Sequence, residues 1–379
     1  MNPIYLDYNA TTPLLPEVVD AMLPYLREHF GNPSSSHVYG KRARRAVDQA
    51  REQVAEFIGC WPEEVVFTGG GTEANNLAIR GAARAAAEGR RHIVTSSVEH
   101  PAVEKPCAWL EGQGWRVTRL EVDATGCVDL GHAAEVIDDE CALVTVMHAN
   151  NEVGTIQPVD ELAEFAHAHG AVFHTDAAQS LGKIWVRVED LGLDLMTIAG
   201  HKLYAPKGVG ALFVREMTPL EAVTFGADHE GGLRPGTENV ASIVGLGKAC
   251  ELAHKSLDEA ADEMRRLRDA LWARLSGAVS GITVNGDLDN CLPNTLNVRF
   301  PGVMGQDVLA AADEVAASTG SACHEGEVTI SRVLEAMGVA EDEAVGSVRL
   351  SLGRQTTMDE VERAAEALVG AWRGVSASS

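Results

Sequence analysis

An acid and a lysine stand 26 positions apart in this chain: Asp176, in His174-Thr175-Asp176-Ala177-Ala178-Gln179, and Lys202, in Thr197-Ile198-Ala199-Gly200-His201-Lys202. Each follows an apolar run. A lysine so placed can form a Schiff base with a cofactor aldehyde. The acid can pair with a pyridinium nitrogen and keep it protonated, so that the ring draws electrons. That is the layout a pyridoxal 5'-phosphate (PLP) enzyme needs. A second feature is Ser318-Thr319-Gly320-Ser321-Ala322-Cys323-His324-Glu325-Gly326, a single cysteine among small residues. The stretch has no apolar periodicity that would bury Cys323, and we expect a mobile loop from about Thr319 to Glu327. A thiol so carried can visit a site and leave it, with the thiolate as the reactive form. Together these features suggest an enzyme that moves sulfur.

Other residues fit around this pair, each with a plainer reading beside it. Gly69-Gly70-Gly71-Thr72-Glu73 follows a strand pattern and opens a helix. Glycines let backbone approach a phosphate, and a helix N-terminus offers free N–H groups and a positive dipole end. The plainer reading is a turn with Thr72 as an N-cap. His100 follows the next strand, at the sheet edge where α/β proteins bind ligands. It could stack on a flat ring and carry protons, or simply cap a helix. Asn151, after a further strand, could reach a ring oxygen or a substrate carboxylate, or belong to a polar turn. Gln179, three residues after Asp176, could also reach the ring oxygen. Arg349, in Val348-Arg349-Leu350, could bind an α-carboxylate through its fork or make a structural salt bridge.

The elements that would position these residues alternate. Apolar runs at 65–68, 92–95, 143–147, 171–174, 193–197 and 209–213 read as strands. Helical patterns at 72–88, 102–111 and 159–169 lie between them. This predicts an α/β fold with βαβ units and a mainly parallel sheet covered on both faces. After Pro235 the pattern changes to one long helix, 241–276, then short strands and helices. We expect a large cofactor-binding domain at 16–250. A smaller α+β domain would comprise 251–379 together with 1–15.

The chain has 379 residues and a formal net charge of −24. Such acidity opposes general binding to nucleic acid or anionic membranes, since both are polyanions. The run Lys41-Arg42-Ala43-Arg44-Arg45 reads as a solvated helix face. The N-terminus carries no basic region followed by an apolar core, and no stretch has the length of a membrane span. A cytoplasmic protein is expected. The seven cysteines are scattered with no C-x-x-C pair, which argues against a disulfide framework and a structural zinc site; no metal is expected.

These strings resemble the cysteine desulfurase family, the NifS/IscS-like branch of fold-type-I PLP enzymes. The resemblance runs from Tyr5-Leu6-Asp7-Tyr8-Asn9-Ala10-Thr11-Thr12-Pro13 to Arg349-Leu350-Ser351. It includes Gly-Thr-Glu at 71–73, Asn-Asn-Glu at 150–152, His-Thr-Asp-Ala-Ala-Gln at 174–179, Gly-His-Lys at 200–202, Arg-Pro-Gly-Thr-Glu-Asn at 234–239 and Gly-Ser-Ala-Cys at 320–323. It implies that Lys202 is the Schiff-base lysine, that His100 stacks on the ring and that Asp176 pairs with its nitrogen. Gln179 and Asn151 would serve the ring oxygen and its surroundings. Gly71, Thr72 and His201 would hold the phosphate, with Thr237 from the partner subunit of a homodimer. Arg349 would anchor the carboxylate of L-cysteine. Cys323 would take its sulfur as a persulfide, releasing L-alanine, for transfer to an acceptor protein such as an iron–sulfur scaffold. Two departures stand out. Ala199 replaces a serine often found two residues before His201, and Gly226-Ala227-Asp228-His229-Glu230-Gly231 replaces Gly-Gly-Gly-Gln-Glu-Arg. Selenocysteine lyase is the alternative on the same fold; an aminotransferase and a non-catalytic sulfur-carrier partner are further readings.

Overall fold

The computed structural model describes residues 3–319 and 330–377. Among them are twelve strands: β1 (Ile4–Tyr5), β2 (Val65–Thr68), β3 (His92–Ser96), β4 (Arg116–Leu120), β5 (Cys141–Thr145), β6 (Val172–Asp176), β7 (Leu195–Ala199), β8 (Gly210–Val214), β9 (Thr283–Val284), β10 (Thr295–Arg299), β11 (Val315–Ala316) and β12 (Ser347–Ser351). Seven of them form one sheet in the order β2-β8-β7-β6-β5-β3-β4. Neighbours from β7 through β4 are parallel, and β8 runs antiparallel to both β7 and β2. The expected α/β fold with a mainly parallel sheet is therefore present.

Strands β2, β3, β5 and β7 are buried along their whole length. Helices on both faces exclude water from them, which is why their sequences read as continuous apolar runs. The helix Gly71–Ala85 follows β2, Pro101–Glu111 follows β3 and Val159–Ala168 follows β5. Two further helices, Pro16–Arg27 and Val38–Ile58, pack against the long C-terminal helical segment.

That segment, Val240–Ala278, differs from the single straight helix expected. It is broken at Ser256, whose backbone is non-helical (φ −137°, ψ 19°). The Ser256 hydroxyl bonds back to the Leu252 carbonyl at 2.9 Å and accepts from Arg354 Nη1 at 2.9 Å. A serine offering the preceding turn a side-chain partner bends a helix in this way. The break separates two cores. Residues up to Leu257 join the core around the seven-stranded sheet. Leu267, Leu271 and Leu275 instead join Leu296, Val298, Val348 and Leu350 of the antiparallel sheet β12-β10-β9. Ile4 and Leu6 belong to this second core, where β1 pairs in parallel with β11. Among the described residues no helix is long and apolar enough to cross a membrane.

Candidate active site

The parallel strands deliver their following residues to one edge of the sheet. Asp176 is the last residue of β6 and is buried. Lys202 ends a short 3-10 turn, Gly200–Lys202, directly after β7. His100 follows β3, and Gly71 opens the helix after β2.

Asp176 is held by two donors. Asn75 Nδ2 reaches its Oδ2 at 2.7 Å and the Ala178 N–H reaches its Oδ1 at 2.9 Å. Both fix the orientation of the carboxylate. The sequence reading singled out neither Asn75 nor its role. It lies one turn into the helix Gly71–Ala85, and its own Oδ1 is buried without a partner.

Lys202 Nζ donates to the carbonyls of Asn9 and, at 2.8 Å, Ala10. Burial lowers its proton affinity to about 8, with the Arg349 charge acting in the same sense and Asp176 and Asp7 opposing. An amine near 8 is neutral in a useful fraction at physiological pH, which a nucleophilic lysine requires. His201 beside it is pushed down to about 4, chiefly by burial and then by the Lys202 charge. Its Nδ1 lies 3.2 Å from Thr11 Oγ1.

His100 does cap its helix: Nδ1 accepts from the Ala102 N–H at 3.1 Å. The capping role and the site role are compatible, because an accepting Nδ1 leaves the neutral ring's proton on Nε2. Burial lowers the affinity of the ring for a second proton; Asp176 raises it and Lys202 lowers it. His100 also lines a cleft of about 520 Å³ with Thr72, Asn76, Arg80, Lys105 and Trp109. Beneath His100, Glu99 is pushed up to about 8 by burial while accepting from Ser96 Oγ at 2.6 Å and the Met147 N–H at 2.8 Å.

Gln179, three residues after Asp176, is buried. Its Nε2 donates to the Asn9 carbonyl at 2.9 Å and its Oε1 accepts from Lys183 Nζ at 3.0 Å. Of the Asn-Asn pair, Asn150 is the turn-builder: its Oδ1 accepts from the Glu152 and Val153 N–H groups. Asn151 offers its carbonyl to Arg349 Nη1 at 3.1 Å and to Asn9 Nδ2 at 3.2 Å. Arg349 is buried on β12, with Nη2 2.7 Å from Asp7 Oδ1 and Nε without a partner. Thus Arg349 does make a salt bridge, yet it keeps one buried donor unspent. Asp7 and Asn9 tie the N-terminal stretch to Arg349, Asn151, Gln179 and Lys202.

The helix Gly71–Ala85 has no side-chain cap at its N-terminus. Gly70 precedes it at φ 141°, with no heavy atom within 4 Å of where a Cβ would stand. A Cβ on Gly71 would lie 3.2 Å from that of Ala199, so the helix start sits against the end of β7 where the family's serine is absent. Glu73 anchors this corner, accepting from the Gly69 N–H and pairing with Arg234 at 2.8 Å. The segment that departs from the family string supports the Thr237 turn. Gly226 packs on Pro235, and His229 Nδ1 accepts from the Gly236 N–H at 3.2 Å. Thr237 itself is exposed. Cys323 lies outside the described residues.

An α/β fold of this topology, with a lysine after one strand and an acid ending its neighbour, is that of the class-V aminotransferases, and residues 4–364 match the family Aminotransferase class-V. The cysteine desulfurase IscS of Dictyoglomus turgidum is 45% identical over 94% of this chain and 91% of its own. A solved NifS-like protein superposes with a TM-score of 0.91 at 35% identity, over 97% of this chain and 98% of its own. A structure described as SspA in complex with cysteine gives 0.79 at 36% identity, covering 93% and 99%. The chain belongs to the class-V aminotransferase family, in its cysteine desulfurase branch.

Proposed function

We propose that this chain is a PLP-dependent cysteine desulfurase that converts L-cysteine to L-alanine and leaves the sulfur as a persulfide on Cys323. One observation carries the reading: the Lys202 amine, lowered to about 8, lies within the electrostatic reach of both the Asp176 carboxylate and the Arg349 guanidinium. The pocket fits the cofactor. A ring nitrogen would meet Asp176, a phosphate the uncapped helix start at Gly70–Thr72 with His201 nearby, and an aldehyde the Lys202 amine. When bound, PLP supplies an electron sink for bonds around the substrate α-carbon.

The chain's own groups do the rest. Arg349, with Nε unspent, receives the substrate carboxylate beside Asn151. Lys202 and His100 exchange protons at the substrate and its reacting carbons. The Cys323 thiolate takes the substrate sulfur: the Cβ–S bond breaks, an S–S bond forms, and Cβ keeps the electron pair and gains a proton to become the methyl of alanine. The persulfide then passes to an acceptor protein. The similarity to a structure holding cysteine supports the choice of substrate.

The same reading makes the protein a homodimer in which Thr237 serves the phosphate of the partner's site. Its exposure, and the exposed stacked pair Phe30 and Tyr39, support a second copy as the cover. It also divides the chain into 16–250 and a smaller unit of 1–15 with 251–379, a division supported by the two cores.

The test is direct. Enzyme treated with cysteine and alkylated without reductant should carry one extra sulfur on the Cys323 peptide. Cys323→Ser should still change its visible spectrum on adding cysteine, yet release no alanine catalytically. Normal turnover by that variant, or sulfur on another thiol, overturns the reading.

A further inference from the structure

Lys183 is a second buried lysine close to the site, and the chemistry proposed above gives it no task. Its amine makes two hydrogen bonds, both to one residue: the Gln179 carbonyl at 2.7 Å and Gln179 Oε1 at 3.0 Å. Burial, with the Lys202 and Arg349 charges acting in the same sense, holds its proton affinity well below that of a free lysine. Neutral or protonated, Nζ has hydrogens for both acceptors.

The chain turns sharply to make this pairing. The Leu181 and Ile184 N–H groups return to the Ala177 and Ser180 carbonyls, at 3.0 Å each. Between them Gly182 takes φ 82°, at a place where a Cβ would collide with the Leu203 side chain. Glycine alone suits that position, and the reversal brings Lys183 back to Gln179.

A staple for this turn would need only the main-chain bond. The second bond decides which way the Gln179 amide faces. With Oε1 taken by Lys183, Nε2 is turned to the other side, where it donates to the Asn9 carbonyl at 2.9 Å. A flipped amide would set its oxygen against that carbonyl and its hydrogens against Nζ. The same Asn9 carbonyl accepts from Lys202 Nζ, so the amide hydrogens and the Schiff-base amine meet at one oxygen. In PLP the ring oxygen stands on the carbon next to the one that carries the aldehyde. A donor beside Lys202 is therefore a donor beside that oxygen. An amide nitrogen has two hydrogens, and among the described residues Nε2 spends one, on Asn9.

We propose that Lys183 is a positioning residue for the cofactor: it holds Gln179 Oε1 and so presents the amide to the site as a donor for the anionic ring oxygen of PLP. The inference rests on reading the site as a PLP site. Lys183 acts through Gln179 and not on the cofactor directly.

The experiment is a double-mutant cycle on PLP binding. Loaded protein is dialysed against graded PLP, and the dissociation constant is read from the visible band. Lys183→Met fills a similar volume but has no hydrogen to give. It should bind PLP about tenfold more weakly, the low end for a hydrogen bond to a charged group. Its visible band should also shift, because a donor on the ring oxygen stabilises the charge there. Introduced into Gln179→Ala, the same change should move the affinity by no more than about twofold and leave the band in place. Gln179→Glu keeps an acceptor for Lys183 but offers lone pairs in place of amide hydrogens. It should bind PLP at least about tenfold more weakly than the wild type, and it tests the proposal even where Lys183→Met does not fold. Wild-type affinity in Lys183→Met or in Gln179→Glu overturns the proposal. So does a Lys183→Met loss that is just as large in the Gln179→Ala background, which would make Lys183 a turn staple alone. Wild-type protein that takes up no PLP would instead remove the reading on which the proposal rests.

Discussion

Asp7 Oδ1 lies 2.7 Å from Arg349 Nη2, a pairing across 342 residues that brings a carboxylate from the start of the chain against the proposed substrate anchor. The pair holds the guanidinium plane, the Asn151 carbonyl takes Nη1, and Nε is left buried and unpartnered. The guanidinium so held is the anchor proposed above for the substrate carboxylate. Arg349→Lys keeps the charge next to Asp7 but loses Nε. We expect cysteine to bind roughly ten- to a hundredfold more weakly, since a charge-assisted hydrogen bond contributes about 1.5–3 kcal/mol. Melting temperature should change little. Wild-type affinity in the lysine variant would make Arg349 a structural residue only.

The lowered proton affinity of Lys202 sets a pH dependence. Only the neutral amine adds to an aldehyde, so the rate at which apoprotein captures PLP should rise with pH and level off, with a midpoint near 8. Asp7 raises the Lys202 value and Arg349 lowers it. Asp7→Asn removes the first effect and should move the midpoint below that of the wild type. The linked stability has a definite sign. Lys202 is lower in the folded state than in an unfolded chain, whose lysines titrate near 10.5, so the unfolded chain binds more protons between about 8 and 10.5. This group's contribution to apoprotein stability therefore increases with pH across that window. A capture midpoint close to 10.5 would contradict the buried, charge-coupled amine.

Asn75 holds Asp176 Oδ2 at 2.7 Å and should govern how that carboxylate is oriented. Asn75→Ala removes the donor and should lower turnover about tenfold, equivalent to ~1.4 kcal/mol. Asn75→Asp replaces the donor by a second carboxyl facing Asp176 Oδ2, where like charges repel. Its loss should be larger. Equal turnover in the two variants would show that only the shape of Asn75 matters.

Glu230 ties its short 3-10 turn, Glu230–Gly232, to β2 and to the helix Val38–Ile58. Its carboxylate takes both Arg51 nitrogens, at 2.8 and 2.7 Å, and the Phe67 N–H at 2.8 Å, while Arg51 also lies over the Phe67 ring. Glu230→Ala strands a mostly buried guanidinium and a strand N–H. It should destabilise the fold by about 2–4 kcal/mol in denaturant unfolding. Glu230→Gln should cost less, because it can still accept from both partners. An unchanged unfolding midpoint in the alanine variant would refute the tying role.

Much of the sheet was legible because strands buried on both faces are written as apolar runs. The run at 65–68 matches β2 residue for residue. The run read at 143–147 is β5, shifted to Cys141–Thr145. A strand without alternation carries no internal mark of where pairing stops. Strand β4 was missed for the opposite reason. It is an edge strand, Arg116-Val117-Thr118-Arg119-Leu120, in which charge interrupts the apolar pattern. The helix Val38–Ile58 was seen only as a basic run, because its buried face is built largely of alanine and valine.

The sequence by itself determined which residues stand at the ends of parallel strands. That is a local property, and it was enough to choose Asp176, Lys202, His100 and Gly71, and through them the chemistry. Only the tertiary structure decided what holds those residues. Asn75 reaches Asp176 across 101 positions and Asn9 reaches Thr295 across 286. Asp7 locks Arg349, and the Asn9 carbonyl gathers Lys202 and Gln179. Such partners leave no periodic trace in a single chain. A short polar side chain reads alike in a turn and in a buried network, and packing alone brings its partner within hydrogen-bond distance.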